Sequence, residues 1–295
     1  MDFLFLLELF INGLNTGLMY SLVALGITMI YKASGVPNLA QGAMVMIAGY
    51  LLWATIALLG LPLWIAIPFV VVLMFLFGLA IERWLLRRMV GQPVLMIVML
   101  TLGLEILLRG VGPGVFDAAP KRLDLGLGLA PLVVADVFIN RAYLIGAISA
   151  GILILLAAAF FRTRLGTKLR AVSDDHVASW AVGISVERAI GISWGIAGVA
   201  AVGAGTLWGS VQGVDWTLSA LLFPAIAVVI LGGIDSLLGV FVGGIIVGVL
   251  GSVIPGYLDP IVGGGTRDVV TSVLIVLTIL LRPYGIFGRE DIERV

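Results

Sequence analysis

The chain has 295 residues, 61% of them hydrophobic and 12% charged, with 17 basic and 17 acidic side chains and no net charge. A soluble domain is nearer half apolar and a quarter charged, so this composition excludes an ordinary water-soluble globule. Neutrality offers no footprint for nucleic acid, zero cysteines exclude disulfides and thiolate metal sites, and the lone His176 leaves no histidine metal cluster.

In lipid the backbone must satisfy its own hydrogen bonds, which leaves helices or a closed barrel. The apolar runs are long and nearly uncharged rather than short and alternating, so the expected fold is an all-α polytopic bundle forming one transmembrane domain over 1–295. The first run follows Asp2 and Glu8 with no early Lys or Arg. It reads as an uncleaved membrane helix and not as a signal peptide. Candidate spans are 9–31, 39–59, 61–81, 94–108, 143–161, 189–208, 218–231, 237–254 and 268–281, giving eight to ten crossings. The short 94–108 and 218–231 runs are candidates for tilted, broken or re-entrant segments.

Within the first span Asn12, Asn15 and Thr16 share a face at i, i+3 and i+4, followed by Tyr20, Ser21 and Thr28. That face lines a polar path or hydrogen-bonds to a neighbouring helix. The stretch 31–41, YKASGVPNLAQ, breaks the helix at Gly35 and Pro37. Asn38 then stands where an N-cap would start the next helix, and Gln41 follows as a second polar candidate. Farther along, Glu105 and Arg109 are four apart and read as an ion pair near the membrane surface, while Glu82 and Arg83 end the third span.

A segment rich in Gly, Pro and Asp, 109–142, reads as an external loop that covers the bundle mouth or docks a delivery protein. The 162–188 segment runs from basic residues through Asp174 and Asp175 to an alanine-rich helix at 177–182 that Gly183 ends. It is either a solvated connector or a knob that seats on a cytoplasmic motor. Ser193, Thr206 and Gln212 form a later polar line. Glycines four apart, such as Gly244 and Gly248, let helix backbones approach closely. A second break, LGGIDSL at 231–237, ends one helix at Gly232 and Gly233 and caps another with Asp235 or Ser236. Its likeness to the first break suggests a weak internal duplication.

Lys32, Arg83, Arg87, Arg88, Arg162, Arg164, Lys168, Arg170, Arg188, Arg282, Arg289 and Arg294 fall on one side of this arrangement. Arg109, Lys121, Arg122, Arg141 and Arg267 fall on the other. The positive-inside rule then puts the N-terminus outside, and the C-terminus and the 162–188 segment in the cytoplasm.

Three stretches resemble the branched-chain amino acid permeases of ABC importers, in particular the LivH-type subunit. They are 13–49, with its glycine-rich helix and Asn before a Met-rich helix, 170–205, and 230–248 with the closing RPYGIFG at 282–288. Urea and short-chain amide permeases are similar, and Gln41 stands where this family often has His. The resemblance implies a transport subunit of the bacterial inner membrane working by alternating access. It also implies a second related permease, two cytoplasmic ATP-binding subunits and a periplasmic solute-binding protein as partners. The coupling loop maps onto Arg170, Asp174, Asp175, Ala178, Ala181 and Gly183, and the candidate solute path onto Asn12, Asn15, Thr16, Tyr20, Asn38 and Gln41. No G-x-x-x-x-G-K-[ST] loop occurs, so no cofactor is expected on this chain and ATP falls to its partners. An enzyme would need clustered acids or histidines at matching depth, and none is present. An ion-coupled secondary carrier, with its ion at the 232–236 break, is the alternative.

Overall fold

The computed structural model describes residues 3–89, 92–126, 131–134, 137–174 and 176–288. Eleven α-helices occur among them: α1 (Phe3–Ser34), α2 (Gln41–Ala57), α3 (Leu63–Trp84), α4 (Val94–Phe116), α5 (Arg141–Phe161), α6 (Arg164–Asp174), α7 (His176–Ala181), α8 (Val186–Gln212), α9 (Leu222–Gly232), α10 (Leu237–Val262) and α11 (Thr266–Leu281). Six helices, α1, α3, α4, α5, α8 and α10, are long and apolar enough to cross a membrane, and α2 and the Trp216–Gly232 segment are shorter apolar helices. The protein is an all-α polytopic membrane protein.

Two helices form the centre. Most of α1 and α8 is buried, whereas α3, α4 and α5 turn large apolar side chains outward. Outward Leu, Ile, Val and Phe rows are what a lipid solvent permits. The central packing is glycine on backbone. Gly13 and Gly17 of α1 lie against Gly244 and Gly248 of α10, so a Cβ at Gly13 would sit 2.8 Å from the Val249 Cα. Ser21 closes the same seam by donating to the Val240 carbonyl at 2.9 Å. Small residues four apart allow this approach. The other α10 pair, Gly239 and Gly243, faces α9 instead, and α8 meets α3 through Gly195 and Gly198. The glycines are therefore shared among several seams.

The two faces of the bundle can be named by residues of α1. At the Lys32 face, Lys32 donates to the Asp235 carbonyl and Ser173 of α6 reaches the Tyr31 carbonyl at 3.5 Å. The described chain starts at the opposite, Asn12 face and ends at the Lys32 face, where Ile286 and Phe287 bond back to Leu231 and Gly232.

Several boundaries differ from the sequence reading. Helix α4 is one continuous helix that runs on to Phe116, so 109–116 is helix and the connection begins at Asp117. Gly110, Gly112 and Gly114 do not end it: Gly112 is packed on Met46 and Tyr50, and the helix continues past Pro113 to Phe116. The connection also carries a two-stranded hairpin, β1 (Leu132–Val134) and β2 (Val137–Ile139). The 218–231 segment is broken: a 3-10 turn at Trp216–Leu221 precedes α9. Helix α6 was unanticipated.

Candidate functional site

The first break is the most unusual local structure. Gly35 is exposed at the Lys32 face with φ +68°, yet Asn38, Ala40 and Gln41 are fully buried. Within six residues the chain has returned to the interior. There the Gln41 amide donates to the Ala197 carbonyl near the middle of α8 at 3.2 Å. Asn38 Nδ2 donates to Gln41 Oε1 at 3.3 Å, and the Leu39 N–H donates to Thr101 Oγ1 on α4 at 3.2 Å. A Cβ at Gly26 of α1 would overlap the Gln41 amide, and one at Gly42 would overlap the Ser219 carbonyl. Five segments thus converge on a helix start inside the bundle. Expectation and structure differ in detail: the N-cap is Ala40, without a side-chain bond, and Asn38 Oδ1 instead accepts the Ala40 N–H at 2.9 Å. Asn38 closes a tight local turn one step before the helix.

The polar face of the first helix divides by residue. Asn12 is engaged with the hairpin, donating to the Phe138 carbonyl and accepting the Asn140 N–H, each at 3.1 Å. Thr16 bonds the Asn12 carbonyl of its own helix. Asn15 is buried with an unpartnered Nδ2. Tyr20 is buried and stacks on Trp208 at 4.9 Å, and the Trp208 indole donates to the Met19 carbonyl. Of the six candidate path residues, Asn38 and Gln41 are brought together and the other four are spread along α1. The later line is similar: Ser193 and Thr206 bond carbonyls of α8 itself.

The expected Glu105–Arg109 pair is not formed: no salt bridge joins them among the described residues, and Arg109 lies over the Trp216 ring at 5.1 Å. The guanidinium turns to an aromatic face because the 3-10 turn brings Trp216 beside α4. Glu82, expected at the interface, is buried and held bidentately by Arg87 at 3.1 and 3.2 Å. At the Asn12 face Lys121 donates to Asp117, which with the Ala118 N–H holds that carboxyl below its ordinary range. Lys121 also exchanges backbone bonds with Val214, at 2.9 and 2.8 Å, fastening the connection to the bundle.

At the Lys32 face α6 and α7 form a helical knob. Gly166 lies against the backbone of Phe160 and Phe161, and Leu169 and Val172 are buried, so α6 is fixed to the end of α5. The Ser179 side chain is buried under α7, and the Ile184 N–H returns to the Ser179 carbonyl at 2.9 Å. Gly183 at φ +83° makes that turn. Ala178 and Ala181 are exposed, and beside them Trp180 and Val182 are 72% and 75% exposed. Arg170 bonds Thr167, Asp174 is exposed, and Asp175 lies outside the described residues. Sequence reasoning missed Trp180 and Val182, although two large apolar residues in a charged segment are a readable signal. It also missed Thr101, a lone hydroxyl in the apolar run of α4.

A bundle of apolar helices with one helix starting inside it, and a rigid polar knob on one face, has the build of a membrane permease. The sequence profile described as branched-chain amino acid transport system / permease component matches residues 9–281. The chain belongs to that family. It is 30% identical to the high-affinity branched-chain amino acid transport system permease protein LivH of Escherichia coli K12, over all of this chain and 99% of that one. It is 28% identical to the corresponding permease protein BraD of Pseudomonas aeruginosa, over 98% of each. A solved structure, PsaBC from Streptococcus pneumoniae in complex with Fab, matches 94% of this chain and 92% of that chain, with 17% identity and a TM-score of 0.48.

Proposed function

We propose that this chain is the permease subunit of an ATP-driven importer for branched-chain amino acids or a similar small polar solute. Family membership over nearly the whole chain supports the transport reading, as do the names of its relatives. The observation that carries the coupling role is the knob itself. Its interior is anchored to α5 and α1, while Trp180 and Val182 point away from the bundle. Exposed apolar groups on a fixed polar segment mark a protein contact.

In this reading two cytoplasmic ATP-binding subunits contact α7 through Ala178, Trp180 and Ala181, with Gly183 setting the angle. Arg170, Asp174 and Asp175 flank that contact. The Lys32 face is cytoplasmic, since it carries Lys32, Arg83, Arg87, Arg88, the α6 basic residues, Arg188 and Arg282. A related permease stands beside this one, and a solute-binding protein delivers from the Asn12 face. Closure of the motor moves α6 and α7, and through Ser173 and Tyr31 the end of α1, whose side-chain-poor seam with α10 permits sliding. The interior helix start at Asn38–Gln41 orients α2 beside the path.

The test is uptake of labelled leucine into proteoliposomes holding the assembled importer. Ala178→Glu with Ala181→Glu, both at exposed positions, is expected to lower ATP-dependent uptake at least tenfold while the bundle keeps its melting temperature. Uptake that persists without the ATP-binding subunits overturns the reading and favours an ion-coupled carrier.

A further inference from the structure

An open cavity of about 590 Å³ lies at the Lys32 face between α5 and α10. Its walls are apolar, with Gly151, Leu155 and Ala158 from α5 and Leu238 and Phe241 from α10. Its mouth is basic, with Arg162, Arg170 and Lys32, opposed among the described residues of its lining by Asp235. A smaller cavity of about 310 Å³ adjoins it, sharing Lys32, Arg170 and Asp235 and adding Asp174. We propose that this groove holds one anionic phospholipid, with its phosphate at Arg162 and Arg170 and an acyl chain laid between α5 and α10.

Three observations favour that occupant over others. The groove is sided like a lipid: the charged end is at the helix termini, and the apolar end runs inward. From Arg162 back to Gly151 the helix rises roughly 16 Å, which matches one leaflet, half of the ~30 Å hydrocarbon core. The charges also select a sign. Arg162 makes no salt bridge among the described residues, and Arg170 bonds only the Thr167 hydroxyl there. Lys32 is engaged otherwise, donating to the Asp235 carbonyl and lying over the Phe161 ring at 5.7 Å. It therefore shapes the mouth, and the two arginines meet the phosphate. Basic pockets between membrane helices recognise anionic headgroups in this way. The inference needs only immersion in a bilayer and does not rest on the transport reading.

Native mass spectrometry of the full chain in detergent, alone and in the assembled importer, tests it with phosphatidylglycerol and phosphatidylcholine of identical acyl chains. Phosphatidylglycerol is expected to be retained at least tenfold better. Arg162→Gln is expected to weaken retention about fivefold, and Arg162→Gln with Arg170→Gln about thirtyfold, since one basic residue near anionic lipid corresponds to about fivefold. Arg162→Lys is expected to keep it. Gly151→Phe fills the groove from a position where an added Cβ meets nothing within 4 Å, so it is expected to expel the lipid without unfolding the chain. Equal retention of the two lipids overturns the proposal, as does a Gly151→Phe chain that still holds phosphatidylglycerol. Displacement by millimolar glycerol phosphate would make the site one for a free phosphate. Loss of the lipid on assembly would assign the groove to the seam between subunits, and either result likewise ends the proposal.

Discussion

The two helix breaks have similar sequences and opposite solutions. The first, between α1 and α2, dips into the bundle and is held by side chains: Asn38, Gln41 and Thr101 supply the bonds, and Gln41 reaches α8. The second, between α9 and α10, stays at the Lys32 face and is held mainly by backbone. Ile286 and Phe287 of the closing tail donate to Leu231 and Gly232 at 2.9 and 3.0 Å, and Ser236 caps α10. Depth explains the contrast. Asn38, Ala40 and Gln41 have no exposed surface, so a chain end there needs amide and hydroxyl groups brought from other helices. At the face a neighbouring strand of backbone suffices.

The largest effect should come from glycine at the second break. Gly233 has φ +102°, and an added Cβ would lie 2.5 Å from the Gly288 nitrogen. Gly233→Ala combines a left-handed penalty with a backbone clash and is expected to cost about 3 kcal/mol or more. Gly35→Ala at the first break, with φ +68° and nothing within 4 Å, should cost only about 1 kcal/mol. Thermal unfolding in detergent measures both. Equal losses would mean the tail does not clamp the second break.

Next in size is Gln41→Leu. It leaves the buried Asn38 amide without its oxygen partner and removes the tie to Ala197, an expected loss of about 1–3 kcal/mol. Faster hydrogen exchange at Leu39 and Ala40 should accompany it, because the turn loses its anchor. Unchanged exchange there would show that Thr101 and the local turn hold the break alone.

What the sequence disclosed follows from the range of each interaction. Helix type and order were legible because long uncharged runs have one solution in lipid. The breaks were legible because Gly35, Pro37, Gly232 and Gly233 are local punctuation. Which break lies deep was not, since that depends on Ala197 and Thr101, far away in the chain. Asn12 illustrates the same limit: its place on a polar face was readable, while its engagement by the hairpin depends on Phe138 and Asn140. The end of α4 was not legible: the apolar run stops at the charged Arg109, and the contact that accommodates this charge within the helix, the Trp216 ring, is distant in the chain. The knob was half legible, its alanines and Gly183 being local and its anchoring to α5 not.

The smallest effect is the sharpest probe of the contrast. Ser236 accepts the Gly239 N–H at 3.0 Å as the N-cap of α10. Ser236→Ala removes one bond at a half-buried site, so about 1 kcal/mol is expected. The tail's bonds to Leu231 and Gly232 are untouched. Exchange should therefore rise at Gly239 and Val240 alone, leaving Gly233 and the tail protected. If Ser236→Ala instead loosens Ile286 and Phe287 as well, the cap and the tail act as one unit. The surface break then depends on a polar side chain just as the interior one does, and depth no longer distinguishes them.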